Sequence, residues 1–248
     1  MTVKFGVTLP SFVDDPEILI RVAMAAEQAE LDGVFVYDHL WRGDPPDRRP
    51  ALECFSMLGA VAVETSRVRV GSLVARATLR PAATLANAFD TVHKVSHGRL
   101  IAGFGAGDSQ SRAENEAFGL PFGTMADRVS ALHDAVRTTS GRGYPVWVGG
   151  RATQVREVVA VADGWNAWGA TPDQFAVAAG IVREVAPEAE LTWGGLARPL
   201  EEGVAALAER LQPIAALGAS WIILAPIDSS NPENAPVLAD VRARLLQE

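Results

Sequence analysis

The sequence has a single cysteine, fewer basic than acidic residues and no long apolar run. Each shortage argues against a kind of structure or partner. Cys54 stands alone among 248 residues, which excludes an intramolecular disulfide framework and a four-thiolate zinc site. The longest apolar run, WIILAP at 221–226, is too short to cross a bilayer. The first ten residues, MTVKFGVTLP, lack the apolar run of a signal peptide. We therefore predict a cytoplasmic protein without disulfides.

The shortage of basic residues gives the chain a formal net charge of −8, from 22 Lys and Arg against 30 Asp and Glu. Excess negative charge disfavours nonspecific binding to nucleic acid and to anionic membranes, so we predict neither as a partner. A local pocket for one anionic ligand remains compatible with this charge. His, Cys and Asp residues are nowhere spaced like metal ligands, and we predict no metal site.

What the sequence does contain is a repeated alternation of short apolar runs and helical stretches. Eight such units follow one another, with strands expected at 3–9, 34–40, 67–75, 99–105, 145–150, 163–169, 189–196 and 220–226. Continuous apolar strands joined by helices indicate a parallel sheet covered by helices. Eight units in about 250 residues predict an α/β protein with a closed (β/α)8 TIM barrel, formed as a single domain over 1–248. A doubly wound open sheet is the alternative.

Polar residues follow several of these strands at the point where each strand ends. Asp38 and His39 end the second strand, and Arg76 and Arg80 come just after the third. In a (β/α)8 barrel the chemistry lies at this edge, so these residues are candidates for a site. The alternative for the pair is that Asp38 caps backbone groups and His39 is a partly exposed loop residue.

Glycines follow the fourth and fifth strands. Gly103, Gly105 and Gly107 lack side chains, which would let a flat ligand approach the main chain. The segment 105–124 reads as a glycine-rich, polar excursion before the fourth helix. Within it Glu114 and Glu116 are expected on a solvated loop face, although paired carboxylates can do acid–base work.

The stretch GGRAT at 149–153 lies between the fifth strand and a helix start. Free N–H groups at such a turn suit a phosphate, although a tight turn with no ligand explains the same residues.

Taken in order, five stretches resemble the bacterial luciferase-like oxidoreductase superfamily. They are VYDHLW, RVRVGSLVARATLRPAATLANAFDTVHKVSHGRL, GFGAGDSQSRAENEAFGLPF, VWVGG and ADGWN. The resemblance covers nearly the whole chain and is strongest to the branch that uses the deazaflavin coenzyme F-420, rather than the light-emitting branch that uses reduced FMN.

The resemblance implies positions for the coenzyme ring. A non-proline cis peptide in a bulge after the third strand should fall at Leu73–Val74 and press one face of the ring. Asp38 matches the residue that contacts the polar edge of the ring, and His39 matches a histidine beside the reactive carbon. Histidine exchanges protons near neutral pH, so His39 is the predicted proton-transfer residue.

The resemblance implies further contacts and a dimer. Arg76 would lie near the ring or its linker, and Gly107 and Asp108 near ring and substrate. The residues that match the phosphate-holding loop are Gly149, Gly150, Ala152 and Thr153. Superfamily members often pair through their early helices, which implies a homodimer.

Three features depart from the pattern of the branch. The sugar-phosphate dehydrogenases have a glutamate where this chain has Asp108, which reaches less far. The segment TSGRGY at 139–144 is short, so we expect a more open pocket. Arg198 stands nearly alone after the seventh strand, without the cluster of basic residues that suits a sugar phosphate. We therefore predict a small organic substrate other than glucose 6-phosphate.

Three functions follow as hypotheses. The first is an oxidoreductase that moves a hydride between coenzyme F-420 and a small organic substrate, with His39 handling the proton. The second is a monooxygenase that uses reduced FMN and oxygen. The third is a non-catalytic flavin-binding protein, for which His39→Ala would change no rate.

Overall fold

The computed structural model describes residues 3–43, 48–109 and 111–247. Met1 and Glu248, the ends of the predicted domain, lie outside this part of the chain. That the whole of 1–248 forms one domain therefore stays a prediction.

The described strands form a barrel that closes on itself. In chain order the strands are β1 (Lys4–Thr8), β2 (Gly33–Val36), β3 (Trp41–Arg42), β4 (Arg49–Pro50), β5 (Arg69–Ser72), β6 (Ala75–Arg76), β7 (Leu100–Gly105), β8 (Val146–Gly149), β9 (Gly164–Trp168), β10 (Glu190–Ala197) and β11 (Trp221–Pro226). The order around the barrel is β5, β2, β1, β11, β10, β9, β8, β7, and β7 pairs in parallel with β5 to close it. The (β/α)8 prediction is confirmed, and the open-sheet alternative is wrong.

Three short strands modify this plan. β6 continues the third barrel strand beyond a two-residue interruption and pairs with β7. β3 and β4 form a small antiparallel ribbon outside the barrel, after the second strand. Neither the ribbon nor the interruption follows from the strand pattern of the sequence.

Helices connect the strands on the outside of the barrel. Over the described residues they are α1 (Pro16–Gln28), α2 (Cys54–Glu64), α3 (Ala82–Val95), α4 (Ser111–Ala117), α5 (Met125–Thr139), α6 (Ala152–Val159), α7 (Pro172–Val185), α8 (Pro199–Ala216) and α9 (Asn234–Leu245). No described helix combines the length and the apolar character needed to span a membrane. The excursion at 105–124 was expected to lack regular structure, and α4 corrects that expectation.

Large aromatic side chains fill the barrel interior below the carboxyl ends of the strands. Phe35 stacks on Trp147 with 5.8 Å between ring centroids, and Trp221 lies edge-on to both rings at 5.9 and 5.5 Å. All three side chains are buried. Because the interior is a packed core, a ligand site belongs at the strand ends above it.

Candidate functional site

The carboxyl ends of the barrel strands form the edge at which the predicted site residues were expected. β2 ends at Val36, so Asp38 and His39 follow it directly, while Arg76 ends β6. Residues after β7 and β8 reach the same edge, because all the barrel strands are parallel.

Asp38 and two arginines form a buried ion-pair network at this edge. Asp38 Oδ2 accepts hydrogen bonds from the backbone N–H of Arg76 at 2.9 Å and from Nη1 of Arg80 at 2.8 Å. Arg76 Nε donates to the backbone oxygen of Asp38 at 2.8 Å. Arg80 also bonds Glu53 at 2.7 Å. The side chain of Asp38 is 2% exposed, so the network links the ends of the second and third barrel strands through buried contacts.

Glu114 brings His39 into this network. Its Oε1 lies 2.8 Å from His39 Nδ1, and its Oε2 accepts from the backbone N–H of Leu40 at 2.8 Å and from Arg76 Nη2 at 3.0 Å. The Glu114 side chain is 6% exposed, whereas that of His39 is 34% exposed. The expectation of a solvated Glu114 is therefore wrong, because α4 turns this residue inward; Glu116 is exposed, as expected.

The charge states in the network follow from these contacts. Burial raises the pKa of the Glu114 carboxyl, but the hydrogen bonds from His39 and Leu40 and the charges of His39 and Arg76 outweigh it and lower that pKa below its usual value. Burial lowers the pKa of Arg76, which arginine's high intrinsic value tolerates without loss of charge. Glu114 is thus a carboxylate that accepts hydrogen bonds from Leu40 and Arg76 at one oxygen and faces His39 Nδ1 with the other.

The predicted cis peptide is present between Leu73 and Val74. The Val74 side chain lies against glycines of the next two strands, β7 and β8: a Cβ on Gly105 would collide with its Cγ2, and one on Gly149 would lie 2.9 Å from its Cγ1. A Cβ on Gly103 would collide with the backbone oxygen of Ser72. Gly103 and Gly105 were expected to make room for a ligand, but they make room for the chain at 72–74.

Aromatic side chains narrow the opening of the barrel. Tyr37, just after β2, contacts Trp168 of β9 edge-on, with ring centroids 6.1 Å apart. These two strands lie half a turn apart in the barrel order, so the pair spans the opening. Tyr37 and Phe12 also lie beside the His39 ring, at 6.3 and 5.8 Å. A planar ligand bound at this opening would lie above the Tyr37–Trp168 pair or would displace the Trp168 side chain, which is 46% exposed.

Gly107 and Asp108 lie at the start of α4. Gly107 has φ +73°, and Asp108 Oδ1 accepts from the N–H of Ser111 at 3.0 Å and from its Oγ at 3.1 Å. Asp108 is exposed and caps the helix that carries Glu114. The carboxylate that the structure brings to His39 is thus Glu114, whereas Asp108, six residues earlier, bonds the first residue of the helix that carries Glu114.

Gly149 ends β8, Gly150 lies in the turn after it, and Ala152 and Thr153 begin α6. Gly150 has φ +144°, a conformation that favours glycine, and the residue before the helix, Arg151, makes no side-chain capping bond. The first N–H groups of an uncapped helix attract an anion. That this turn holds the coenzyme phosphate stays a prediction.

Two cavities lie away from this edge. They measure about 540 and 560 Å³ and lie between α1 and α9 and at the opposite, amino-terminal end of the barrel. Among the described residues no group of three or more His, Cys, Asp or Glu could hold a metal ion.

Comparison with known proteins agrees with this architecture. A family model described as luciferase-like monooxygenase matches residues 3–220. The chain belongs to this family. The luciferase-like relatives include an F-420-dependent glucose-6-phosphate dehydrogenase of Beutenbergia cavernae, which is 35% identical over 144 residues. That match covers 56% of this chain and 39% of the relative, so the matched chain spans about two fifths of that relative's length.

Solved structures of low sequence identity share the fold of this luciferase-like protein. An F-420-dependent secondary alcohol dehydrogenase in complex with an F-420–acetone adduct gives a TM-score of 0.80 at 14% identity, over 97% of this chain and 98% of that chain. The coenzyme F-420-dependent tetrahydromethanopterin reductase of Methanopyrus kandleri gives 0.73 at 15% identity, over 96% and 98%.

Glu114 is the site residue that sequence reasoning missed. A signal for it existed: Ser111, Glu114 and Asn115 have the spacing of one helix face, and this is the buried face of α4. Two arginines at the end of the third strand also require acidic partners if they are buried.

Proposed function

We propose that this protein is an oxidoreductase that transfers a hydride between coenzyme F-420 and a small organic substrate. The observation that carries the proposal is a partly exposed histidine held by a buried carboxylate, at the same edge of the barrel as the cis peptide at Leu73–Val74. The names of the relatives and of the fold neighbours support the choice of coenzyme.

The residues at the barrel opening fit a planar, anionic coenzyme. Val74 is partly exposed and forms an apolar shelf over Gly105 and Gly149, while Tyr37 and Trp168 add aromatic surface. The uncapped first turn of α6, with Ala152 and Thr153, suits the coenzyme phosphate. Asp38 and Arg76 are engaged with each other, so we propose that they hold the ring pocket in shape while the exposed atoms around them contact the ring.

The protein's own part in the reaction is positioning and proton handling. When bound, the deazaflavin supplies or accepts the hydride. His39 is a partly exposed side chain of the network and the one that exchanges protons near neutral pH, and it holds or takes the proton of the substrate oxygen. The apolar shelf and the aromatic pair exclude water from the reacting atoms.

Ligand binding tests the choice of coenzyme. Trp168 lies at the opening, so its fluorescence should respond when a flavin-like ring binds there. We expect saturable quenching by F-420 at lower concentration than by FMN. Tighter binding of reduced FMN, with oxygen-dependent turnover, would contradict the F-420 proposal and favour the monooxygenase hypothesis, which the family description also accommodates.

Replacement of His39 tests catalysis against simple binding. His39→Gln keeps the size of the side chain but removes proton exchange, so we expect kcat to fall by about 100-fold or more with the coenzyme Kd little changed. The control is the wild-type protein, whose coenzyme Kd and kcat are measured with the same substrate and compared with those of His39→Gln. Tight coenzyme binding without turnover in either protein would instead support the non-catalytic hypothesis.

Substrate, assembly and location belong to the same proposal. Arg198 is paired with Glu201 at 3.0 Å, which supports a substrate other than glucose 6-phosphate. Exposed apolar side chains on the early helices, Met24 and Val63, support a homodimer, and the cytoplasmic location stays a prediction. Light scattering tests the assembly, and the mass of one chain at micromolar concentration would contradict the dimer.

A further inference from the structure

The two oxygens of Glu114 have different partners. Oε2 accepts from two donors, the N–H of Leu40 at 2.8 Å and Nη2 of Arg76 at 3.0 Å. Oε1 faces Nδ1 of His39 at 2.8 Å. Since Leu40 and Arg76 hold one end of the carboxylate, the other end is presented to the imidazole in a fixed position.

Arg76 is itself held from several sides. Its Nε bonds the backbone oxygen of Asp38, its backbone N–H bonds the Asp38 carboxylate, and its Nη1 bonds Asn115 at 3.2 Å. Its side chain is 3% exposed. Glu114 therefore rests on a buried, charged support and has little freedom to turn away from His39.

An ionised carboxylate only accepts hydrogen bonds, so the hydrogen in the Glu114–His39 contact belongs to the imidazole. The lowered pKa of the Glu114 carboxyl agrees with the ionised state. A neutral His39 then carries its proton on Nδ1, which leaves the lone pair on Nε2.

We propose that Glu114 is a positioning residue that fixes His39 in the tautomer with the proton on Nδ1. Nε2 is then the nitrogen that exchanges a proton with the substrate oxygen. The second statement rests on the proposed function, whereas the first concerns the protein without coenzyme.

The variant Glu114→Gln tests the proposal because it reverses the hydrogen-bonding role of the group that faces His39 Nδ1. The amide oxygen should stay where Oε2 faces two donors, which puts the amide NH2 beside His39 Nδ1. An NH2 group donates, so Nδ1 must become the acceptor and the proton must move to Nε2. Glu116→Gln is the matched control, because Glu116 lies on the exposed face of the same helix and pairs with Arg112.

The tautomer is measured by NMR that detects two-bond 1H–15N couplings of the imidazole. The sample is ligand-free protein with labelled histidine, at a pH where imidazole is neutral. The chain has four histidines, and His39→Gln identifies the His39 signal. We expect Nδ1–H in the wild type and in Glu116→Gln, and Nε2–H in Glu114→Gln. A wild-type His39 protonated on Nε2, or an unchanged tautomer in Glu114→Gln, would overturn the proposal; the wild-type result stands even if the variant fails to fold.

Kinetics test the role in the reaction separately. With F-420 and a substrate, Glu114→Gln should lower kcat by about 100-fold or more with a small change in KM, and Glu116→Gln should match the wild type. A reversed tautomer with unchanged kcat would overturn the role of Nε2 in the reaction. If the wild type turns over no F-420, the proposed function fails, whereas the NMR result on Glu114 is unaffected.

Discussion

At the scale of single residues, close packing around the third strand decides which side chains are tolerated near the site. Val74 occupies the space above Gly105 and Gly149, so β7 and β8 must present glycine there. The same side chain is partly exposed. The glycines at the ends of these two strands thus make room for the Val74 side chain.

We predict that Gly105→Ala destabilises the protein by about 1–3 kcal/mol, because the new Cβ collides with Val74. Gly59→Ala in α2 is the control: its Cβ meets no atom within 4 Å, and alanine favours a helix interior by about 0.5–1 kcal/mol. Urea unfolding measures both. Equal stability of the wild type and Gly105→Ala would show that the chain at 72–74 relaxes around the added methyl group.

At the scale of elements, the end of α1 is joined to the loop before β5 by one carboxylate. Glu27 accepts hydrogen bonds from the backbone N–H groups of Ser66, Arg67 and Val68. Partial burial raises the pKa of Glu27, but these bonds outweigh it and lower that pKa to about 2 from 4.5. The contact positions the start of the strand that leads to the site.

This pKa predicts an acid-dependent loss of stability. A carboxylate with a lowered folded-state pKa stabilises the fold fully above about pH 4.5, and this contribution is lost as the pH falls toward 2. We expect Glu27→Gln to destabilise the protein by about 1 kcal/mol at pH 7 and to flatten its stability profile between pH 5 and 2, roughly the window between the two pKa values. Chemical unfolding across pH measures this, with the exposed Glu188→Gln as control; identical profiles for wild type and Glu27→Gln would contradict it.

At the scale of the whole molecule, barrel closure brings together strands that are far apart in the chain. Tyr37 and Trp168 meet because β2 and β9 face each other across the barrel. Trp168 is 46% exposed and Trp41 is partly exposed, whereas Trp147, Trp165, Trp193 and Trp221 are buried.

We therefore predict that Trp168, the most exposed tryptophan, makes the largest contribution to solvent quenching of tryptophan fluorescence, with a smaller one from Trp41. Trp168→Phe should reduce acrylamide quenching, and coenzyme bound at the opening should protect the wild type from acrylamide but add little protection in the variant. Val177→Ala, an exposed apolar substitution on the outer helix α7, is the control. Equal protection of wild type and Trp168→Phe would place the ligand away from the opening.

The barrel could be predicted from the strand pattern, because eight apolar strands with intervening helices admit few closed arrangements. The cis peptide at Leu73–Val74 could be predicted from a family pattern, and Asp38 and His39 could be named as candidates because they follow a strand. Which groups contact one another could not be predicted in this way. Glu114 lies 75 residues from His39 in the chain, and burial with Arg76 and Leu40 makes it the partner of that histidine. A contact of this kind depends on barrel closure and on the turn of a short helix, which no local pattern near His39 encodes.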